Sequence, residues 1–453
     1  MASSPSAALW KWPELCRALG LPEREGPDIN RIVIDSRLAE PGDLFIALPG
    51  DPGLRFNASN RSDRDGHDFV AMAAERGAAG ALVHRSVDCK LPMLQVPDTL
   101  DGLWALGRAR RQALDADVVA ITGSSGKTTM KSLLAQSLDA FATEGSLNNH
   151  LGVPLSLALT PREVTAAVYE IGTSHPGEIA ALSKLVEADV AVVLNVHPAH
   201  VEYFENLDEL RSEKISIYNG LRDKGHLILE ESIGRSGLPA GLHVETFGEA
   251  STNLCQLCSV EGHVAQYRIS GDTLTAHIPG GGRHRAQSLA AVITVLEVLG
   301  KDLKSALDLP DDLVPRGRGN VVEIGGITII DDSYNANPAS MQAALTELEN
   351  QRGRTIAVLG EMLELGEDAE AYHADLVTRC AHIQRVIAVG RHMRALFDAL
   401  TPDQRWLWQE QADDKLLEIL VEGLQAGDRV LIKGSNRVFW ARQFVPRLLD
   451  RLA

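Results

Sequence analysis

The chain is short of cysteine, of net positive charge and of long apolar runs, and each shortage narrows what it can be. Five cysteines (Cys16, Cys89, Cys255, Cys258 and Cys380) are scattered through 453 residues. They are few and odd in number, so a disulfide framework is not expected and a reducing, cytoplasmic compartment is. Cys255-x-x-Cys258 has the spacing of half a zinc site, but with no second pair it reads as two ordinary thiols. Lys+Arg 44 against Asp+Glu 61 gives 44 − 61 = −17, which speaks against a nucleic-acid surface. An anionic substrate stays open, because phosphates need only local positive charge. No apolar run reaches the ~18 residues of a transmembrane helix. The N-terminus has no charged region followed by an apolar core. Neither membrane insertion nor a signal peptide is therefore expected. Low-complexity tracts and fixed-period repeats are also absent.

What is present is ordinary globular composition, 45% hydrophobic and 23% charged. The length exceeds what one core supports and predicts about three domains. The stretch that organises them is residues 118–129. Val118, Val119, Ala120 and Ile121 form a short apolar strand, Thr122-Gly-Ser-Ser-Gly126 a glycine loop, and Lys127, Thr128 and Thr129 open a helix carrying Leu133, Leu134 and Leu138. Strand, glycine loop and helix in that order are the setting of a phosphate-binding loop. Gly123 and Gly126 let backbone N–H groups turn inward, and the helix N-terminus adds positive potential. In such a loop Lys127 reaches the β/γ-phosphates and the Thr128 hydroxyl sits on Mg²⁺. The general pattern asks for glycine where this chain has Ile121; the plainer alternative is a glycine turn leading into a helix.

Residues 1–96 read as a small mixed α/β domain. Its strands are Ile32–Ile34, the run from Asp43 to Leu48, and Ala81–Val83, with a helix over Phe69–Arg76 and a polar loop over 51–65. Ser36 and Arg37 follow the first strand; such a pair binds a phosphate or is simply surface. Asp98–Ala113 reads as a linking helix. Residues 97–314 then alternate strands (118–121, 166–171, 190–196, 226–230) with helices. This pattern predicts a mostly parallel sheet with ligands at the strands' carboxyl ends. Glu170 ends one such strand, where a carboxylate meets Mg²⁺. His197 and His200 follow another; a histidine there is a metal ligand, an acid/base or a structural residue. Lys214 reads from spacing alone as a solvent-facing helical lysine. Asn148 and Asn149 suit a substrate contact, or a turn and a helix cap. The segment 240–280 is β-rich and leads, through Pro279-Gly-Gly-Gly282, into a helix over 286–299. Residues 315–453 form a third α/β unit with four strands (327–330, 356–359, 386–389, 430–432), each ending in a polar or glycine loop, as in a nucleotide-binding fold. Arg318 lies at the hinge before it.

These constellations resemble the Mur ligase family, which extends the peptide of the bacterial cell-wall precursor using ATP. The resemblance covers nearly the whole chain. It rests on Asp35-Ser-Arg37 with Pro41-Gly-Asp-Leu-Phe45, Asp65-Gly-His-Asp-Phe69, Leu147-Asn-Asn-x-Leu-Gly-Val-Pro154 and Glu170-x-Gly-x-Ser-His-Pro-Gly-Glu178. Most specific are Asp332-Ser-Tyr-Asn-Ala-Asn-Pro338 and Gly360-Glu-Met-Leu-Glu-Leu-Gly366. Together these stretches are similar to the branch that adds D-alanyl-D-alanine to UDP-N-acetylmuramoyl-tripeptide. The resemblance implies an α/β protein of three domains: a precursor-binding domain (1–96), a central P-loop ATPase domain with a parallel sheet (97–314) and a nucleotide-fold-like ligase domain (315–453). It implies that Gly123, Ser124, Ser125, Gly126, Lys127, Thr128 and Thr129 bind ATP, with Arg318 on the γ-phosphate and Asp332 on the ribose. Thr128, Glu170 and His200 would hold metal, two Mg²⁺ in all, supported by a carbamylated Lys214. Lys127, Glu170, His200, Lys214 and Arg318 would be catalytic. Ser36, Arg37, Asn148, Asn149, Ser174 and His175 would contact substrate. The implied partners are the two peptide substrates alone, with a monomeric chain.

The chain departs from the family pattern at two places. Two positions after Lys214, where the family often has an acidic residue, it has Ser216. Before the helix over 286–299 the family carries His-Asn-x-x-Asn, and one asparagine helps hold adenine; here the stretch is His284-Arg-Ala-Gln-Ser288. Either Gln287 or Ser288 substitutes, or other groups hold the base. Rival readings are another Mur or folyl-polyglutamate-type ligase, a P-loop regulatory ATPase, and a homologue that binds precursor without ligating it.

Overall fold

The computed structural model describes residues 8–51, 64–198 and 201–453. Three sheets follow one another along the chain. The first has four parallel strands in the order β1 (Arg31–Val33), β2 (Asp43–Ile46), β3 (Gly80–Val83), β4 (Met93–Gln95). Of the polar loop expected over 51–65, residues 52–63 lie outside the described residues. The expected helix is Val70–Glu75, entered through a tight turn at Gly66–Phe69.

The second sheet has eight strands. They are β5 (Asp117–Thr122), β6 (Ala166–Glu170), β7 (Ala188–Val193), β8 (Leu221–Glu230), β9 (His243–Gly248), β10 (Cys255–Glu261), β11 (Val264–Ile269) and β12 (Asp272–His277), in the order β12-β11-β10-β9-β8-β7-β5-β6. Pairing is parallel from β6 through β10 and antiparallel at β10–β11 and β11–β12. The buried strands alternate sides as period-two geometry requires. Val119 and Ile121 face a core shared with helices Lys127–Leu138 and Arg283–Val298. Val118 and Ala120 face one shared with helices Gly152–Leu159 and Glu178–Val186. Because both of their faces are covered, β5, β6 and β7 are largely apolar, and polar side chains such as Thr122 and Glu170 stand at their carboxyl tips.

The third sheet runs β13 (Asn320–Ile324), β14 (Ile327–Asp332), β18 (Asp428–Lys433), β15 (Arg354–Gly360), β16 (Arg385–Val389), β17 (Arg405–Gln409), with only β13 antiparallel to its neighbour. Two cores again flank it. The sequence reading found four of its six strands. The two it missed, β13 and β17, are the edges; each is only half-buried, so neither carries the apolar run of a central strand.

Helix Thr99–Ala113 joins the first two sheets rather than merely linking them. Its Leu103 and Leu106 pack with Trp10, Trp12, Leu44 and Leu82 of the first core, while Trp104 packs on the central one. Its N-cap is the Asp98 carboxylate, which accepts from the N–H groups of Leu100 and Asp101.

Candidate active site

The tips of β5, β6 and β7 open into a cleft of ≈ 1110 Å³, walled on its far side by residues of the third sheet. The loop after β5 turns on two glycines with positive φ, Gly123 at 155° and Gly126 at 81°. Asn195, past the tip of β7, clamps this loop: its Oδ1 accepts from Ser125 N at 3.0 Å and its Nδ2 donates to Ser125 O at 3.2 Å. Ser124 is tied to His197 by hydrogen bonds in both directions, each 2.9 Å. Lys127 Nζ folds back to donate to Gly123 O at 2.6 Å.

Glu170, at the tip of β6, is 3% exposed. Its Oε2 accepts from Thr128 Oγ1 at 2.9 Å; its Oε1 accepts from Ser146 Oγ at 2.8 Å and Asn148 Nδ2 at 2.7 Å. Burial raises its pKa, but the charges of Lys127, Lys131 and Arg318 outweigh it, so the group is held below the usual carboxylate range. Burial, opposed by Glu170, lowers Lys127 and Lys131 from their ordinary values. Lys131 is fixed by two carbonyls, Thr143 O at 2.7 Å and Gly145 O at 2.6 Å, and stands 3.9 Å from Glu170.

Lys214 corrects the sequence reading. It is 2% exposed and lines the cleft, because helix Leu207–Ile215 turns its last turn inward against helix Glu178–Val186. Its neighbour Glu213 is engaged elsewhere, accepting from the N–H groups of Gly177 and Ile179 at the start of that helix. Among the described residues no carboxylate lies within ion-pair distance of Lys214. Burial, with Lys127 adding to it and Glu213 opposing, brings its pKa down to about 7. Burial and Lys214 likewise lower His197.

Other expected residues are placed more variously. His200 lies outside the described residues. Asn149 takes the helix-cap alternative, its Oδ1 accepting from Leu151 N and Gly152 N. Ser174 lines the cleft. His175 is not among the lining residues; its ring lies 4.3 Å from Tyr203, and its buried Nδ1 has no hydrogen bond among the described residues and stands 3.7 Å from Glu178 Oε1. Ser36 and Arg37 are not brought to the cleft. Ser36 Oγ lies 3.5 Å from Met72 Sδ, and exposed Arg37 closes on Asp35 at 2.6 Å. Arg318 lines the cleft with its guanidinium 4.2 Å over the Tyr334 ring. Asp332 lines it too, paired with Lys433 at 2.7 Å. Sequence reasoning missed Asn195, Ser146 and Lys131. Only their position beside strand tips or on the inner face of the loop's own helix marks them.

The family models for the Mur ligase middle domain and for the Mur ligase glutamate ligase domain match residues 121–296 and 317–436. A Bacillus subtilis protein named UDP-N-acetylmuramoyl-tripeptide--D-alanyl-D-alanine ligase is 33% identical over 442 residues, covering 92% of this chain and 93% of that one. The chain belongs to the Mur ligase family. Among solved structures, MurF from Acinetobacter baumannii superposes with a TM-score of 0.81 at 29% identity, covering 97% of this chain and 99% of its own. The MurF ligase of Thermotoga maritima in complex with ADP gives 0.77 at 28%, covering 93% and 98%.

Arg285, which stands where the family pattern has asparagine, is committed to the hinge of this Mur ligase. Nearly buried, it donates from Nη1 to Gly280 O at 2.7 Å and Gly281 O at 3.0 Å, and from Nη2 to Arg318 O at 2.9 Å and Gly319 O at 3.5 Å. One guanidinium so ties the glycine loop before helix Arg283–Val298 to the backbone that carries Arg318. Bonds to a charged donor are worth about 1.5–3 kcal/mol each where their loss leaves a partner unmet. Arg285→Ala is expected to speed amide hydrogen exchange at Arg318 and Gly319 at least tenfold, read by exchange mass spectrometry. Unchanged protection there would contradict the latch.

Proposed function

We infer that the chain is an ATP-dependent ligase joining D-alanyl-D-alanine to UDP-N-acetylmuramoyl-tripeptide, a step of peptidoglycan precursor synthesis. The observation that carries this is the single cleft lined by Lys127, Glu170 and Lys214 of the central sheet's loops and helices and by Arg318 and Asp332 of the last unit, with Thr128 bonded to Glu170 at its edge. Relatives named for that reaction, and a MurF solved with ADP, support it. In this reading residues 1–96 hold the UDP end, 97–314 hold ATP and 315–453 help shape the dipeptide site. The chain works as a cytoplasmic monomer.

The chemistry needs no side-chain nucleophile. The tripeptide's terminal carboxylate attacks the γ-phosphorus, ADP leaves, and an acyl phosphate forms. The dipeptide amine then attacks the acyl carbon, the nitrogen gives up a proton to solvent, and phosphate leaves with the bond pair. Lys127 Nζ exchanges Gly123 O for the phosphoryl oxygens, and Arg318 meets the same charge from the opposite wall. Asp332 turns from Lys433 to the ribose. Ser174 and Asn148 bound the precursor's peptide end, and Arg37 trades Asp35 for a phosphate of the UDP.

The hard oxygen donors at Glu170 and Thr128 fit Mg²⁺, and His200 with a carbamate on Lys214 would complete a second Mg²⁺ site. Bound there, the ions would screen the phosphoryl oxygens during transfer. An amine with a pKa near 7 is largely neutral at physiological pH, and the neutral amine is the form that takes up CO₂.

Phosphate release from ATP is expected only with both peptide substrates present, giving a product heavier by the dipeptide less water. Lys127→Ala is expected to slow it roughly 10²–10³-fold. Release indifferent to the dipeptide would instead indicate the regulatory ATPase, and intact turnover by Lys127→Ala would remove the assigned phosphate site. A pH series follows from Lys214. Below about pH 7 the side chain is an ammonium; above it, an amine. At limiting bicarbonate the rate is expected to rise with pH through 7, and added bicarbonate to help most below it. A flat response, or the same response in Lys214→Arg, would contradict the carbamate.

A further inference from the structure

Among the described residues, two clusters of metal-ligating side chains lie outside the cleft chemistry. In the first, Asp65, His67 and His84, both ring nitrogens of His67 are in use. Nδ1 lies 2.7 Å from Asp65 Oδ1, and Nε2 accepts from His84 N at 2.9 Å. That histidine is a structural tie between two loops and has no lone pair left for an ion.

The second cluster is different. His263 sits in the turn between β10 and β11, His277 ends β12, and Asp311 opens the short turn Asp311–Leu313. The antiparallel register pairs Val264 with His277, which brings the two imidazoles alongside each other with centroids 5.7 Å apart. Asp311 Oδ1 lies 3.0 Å from His277 Nε2 and 3.8 Å from His263 Nδ1, and the three ligating atoms all fall within 4.8 Å of one another. The backbone beneath is fixed. Ile278 N donates to His263 O at 2.7 Å, His277 N to Leu307 O at 2.8 Å, and Gly280 N to Asp311 Oδ1 at 2.6 Å. Gly281 leaves the space beside the His263 ring free, for a Cβ there would lie 3.0 Å from Nε2. Side-chain exposures of 55%, 32% and 58% keep the triad open to solvent and to an entering ion.

We propose that His263, His277 and Asp311 form a binding site for a borderline divalent transition-metal ion of the Zn²⁺ class. Two imidazole nitrogens and one carboxylate oxygen on three chain segments, with solvent supplying the fourth position, match the tetrahedral N/O preference of Zn²⁺ and Co²⁺. They do not suit Mg²⁺, which takes oxygen donors. A small inward movement replaces the His277–Asp311 hydrogen bond with two metal bonds. Gly280 N already orients the carboxylate, as outer partners of metal ligands do. The ion would staple the hairpin turn to the segment that runs on to Arg318, beside the cleft wall formed by His263 and Gly280. It enters no step of the ligation.

The test is Zn²⁺ competition against a chromophoric chelator on the full-length, metal-stripped protein, with Co²⁺ absorption reporting geometry. One tight site with a tetrahedral Co²⁺ spectrum is expected. His263→Ala, His277→Ala and Asp311→Asn are each expected to weaken it at least tenfold, and His84→Ala to leave it unchanged. Circular dichroism of each metal-free variant checks folding, and a variant that fails to fold is replaced by Asp311→Asn, whose shape is conserved. No tight site in the parent chain, or a tight site indifferent to all three substitutions, would overturn the proposal.

Discussion

The Glu170 carboxylate is buried where burial alone would neutralise it, and three cations keep it charged. Lys127 and Lys131 come from the helix that follows the glycine loop after β5, and Arg318 crosses from the hinge before the third sheet. The dependence is mutual, since Glu170 also opposes the desolvation of both lysines. Remove the carboxylate and buried positive charges face each other unscreened. The loop geometry, the rotamer of Thr128 and the turn carrying Ser146 and Asn148 all meet on its two oxygens. The contact also has a chemical use in the proposed reaction. A carboxylate kept anionic beside a hydroxyl is the donor set a phosphate-bound Mg²⁺ requires.

Parallel sheets explain why these groups converge. With both faces of β5, β6 and β7 covered by helices, the polar side chains of these strands lie near their ends. Register does the rest: Ile121 pairs with Glu170 and with Val192, so the tips of β5, β6 and β7 open at one level. The third sheet brings its own tips to the same cleft through Asp332 and Lys433, which are register partners at the ends of β14 and β18.

Much of this was legible in the chain. The strand–glycine–helix order around Lys127 and the carboxylate ending the β6 run are local patterns, and local patterns carry their own geometry. Lys214 was not legible that way, because periodicity on its short helix cannot say which helix packs against it; burial is set by a partner distant in sequence. The same holds for Asn195, whose clamp on the loop exists only once β7 lies beside β5. Edge strands β13 and β17 escaped because half-burial leaves no continuous apolar signature. Arg285 marks the other limit. The sequence showed that the family's asparagine was missing, and only the structure showed the side chain spent on four carbonyls at the hinge.

The central claim is that the cleft activates a carboxylate by transferring phosphate to it. Its most direct test uses UDP-N-acetylmuramoyl-tripeptide labelled with ¹⁸O in the terminal carboxylate, turned over with ATP and D-alanyl-D-alanine, and the released phosphate analysed by mass. The account predicts one labelled oxygen in each phosphate, because the carboxylate oxygen that attacks phosphorus leaves with it. Phosphate free of label, with the peptide bond still formed, would contradict an acyl phosphate and with it the assigned roles of Lys127, Glu170 and Arg318.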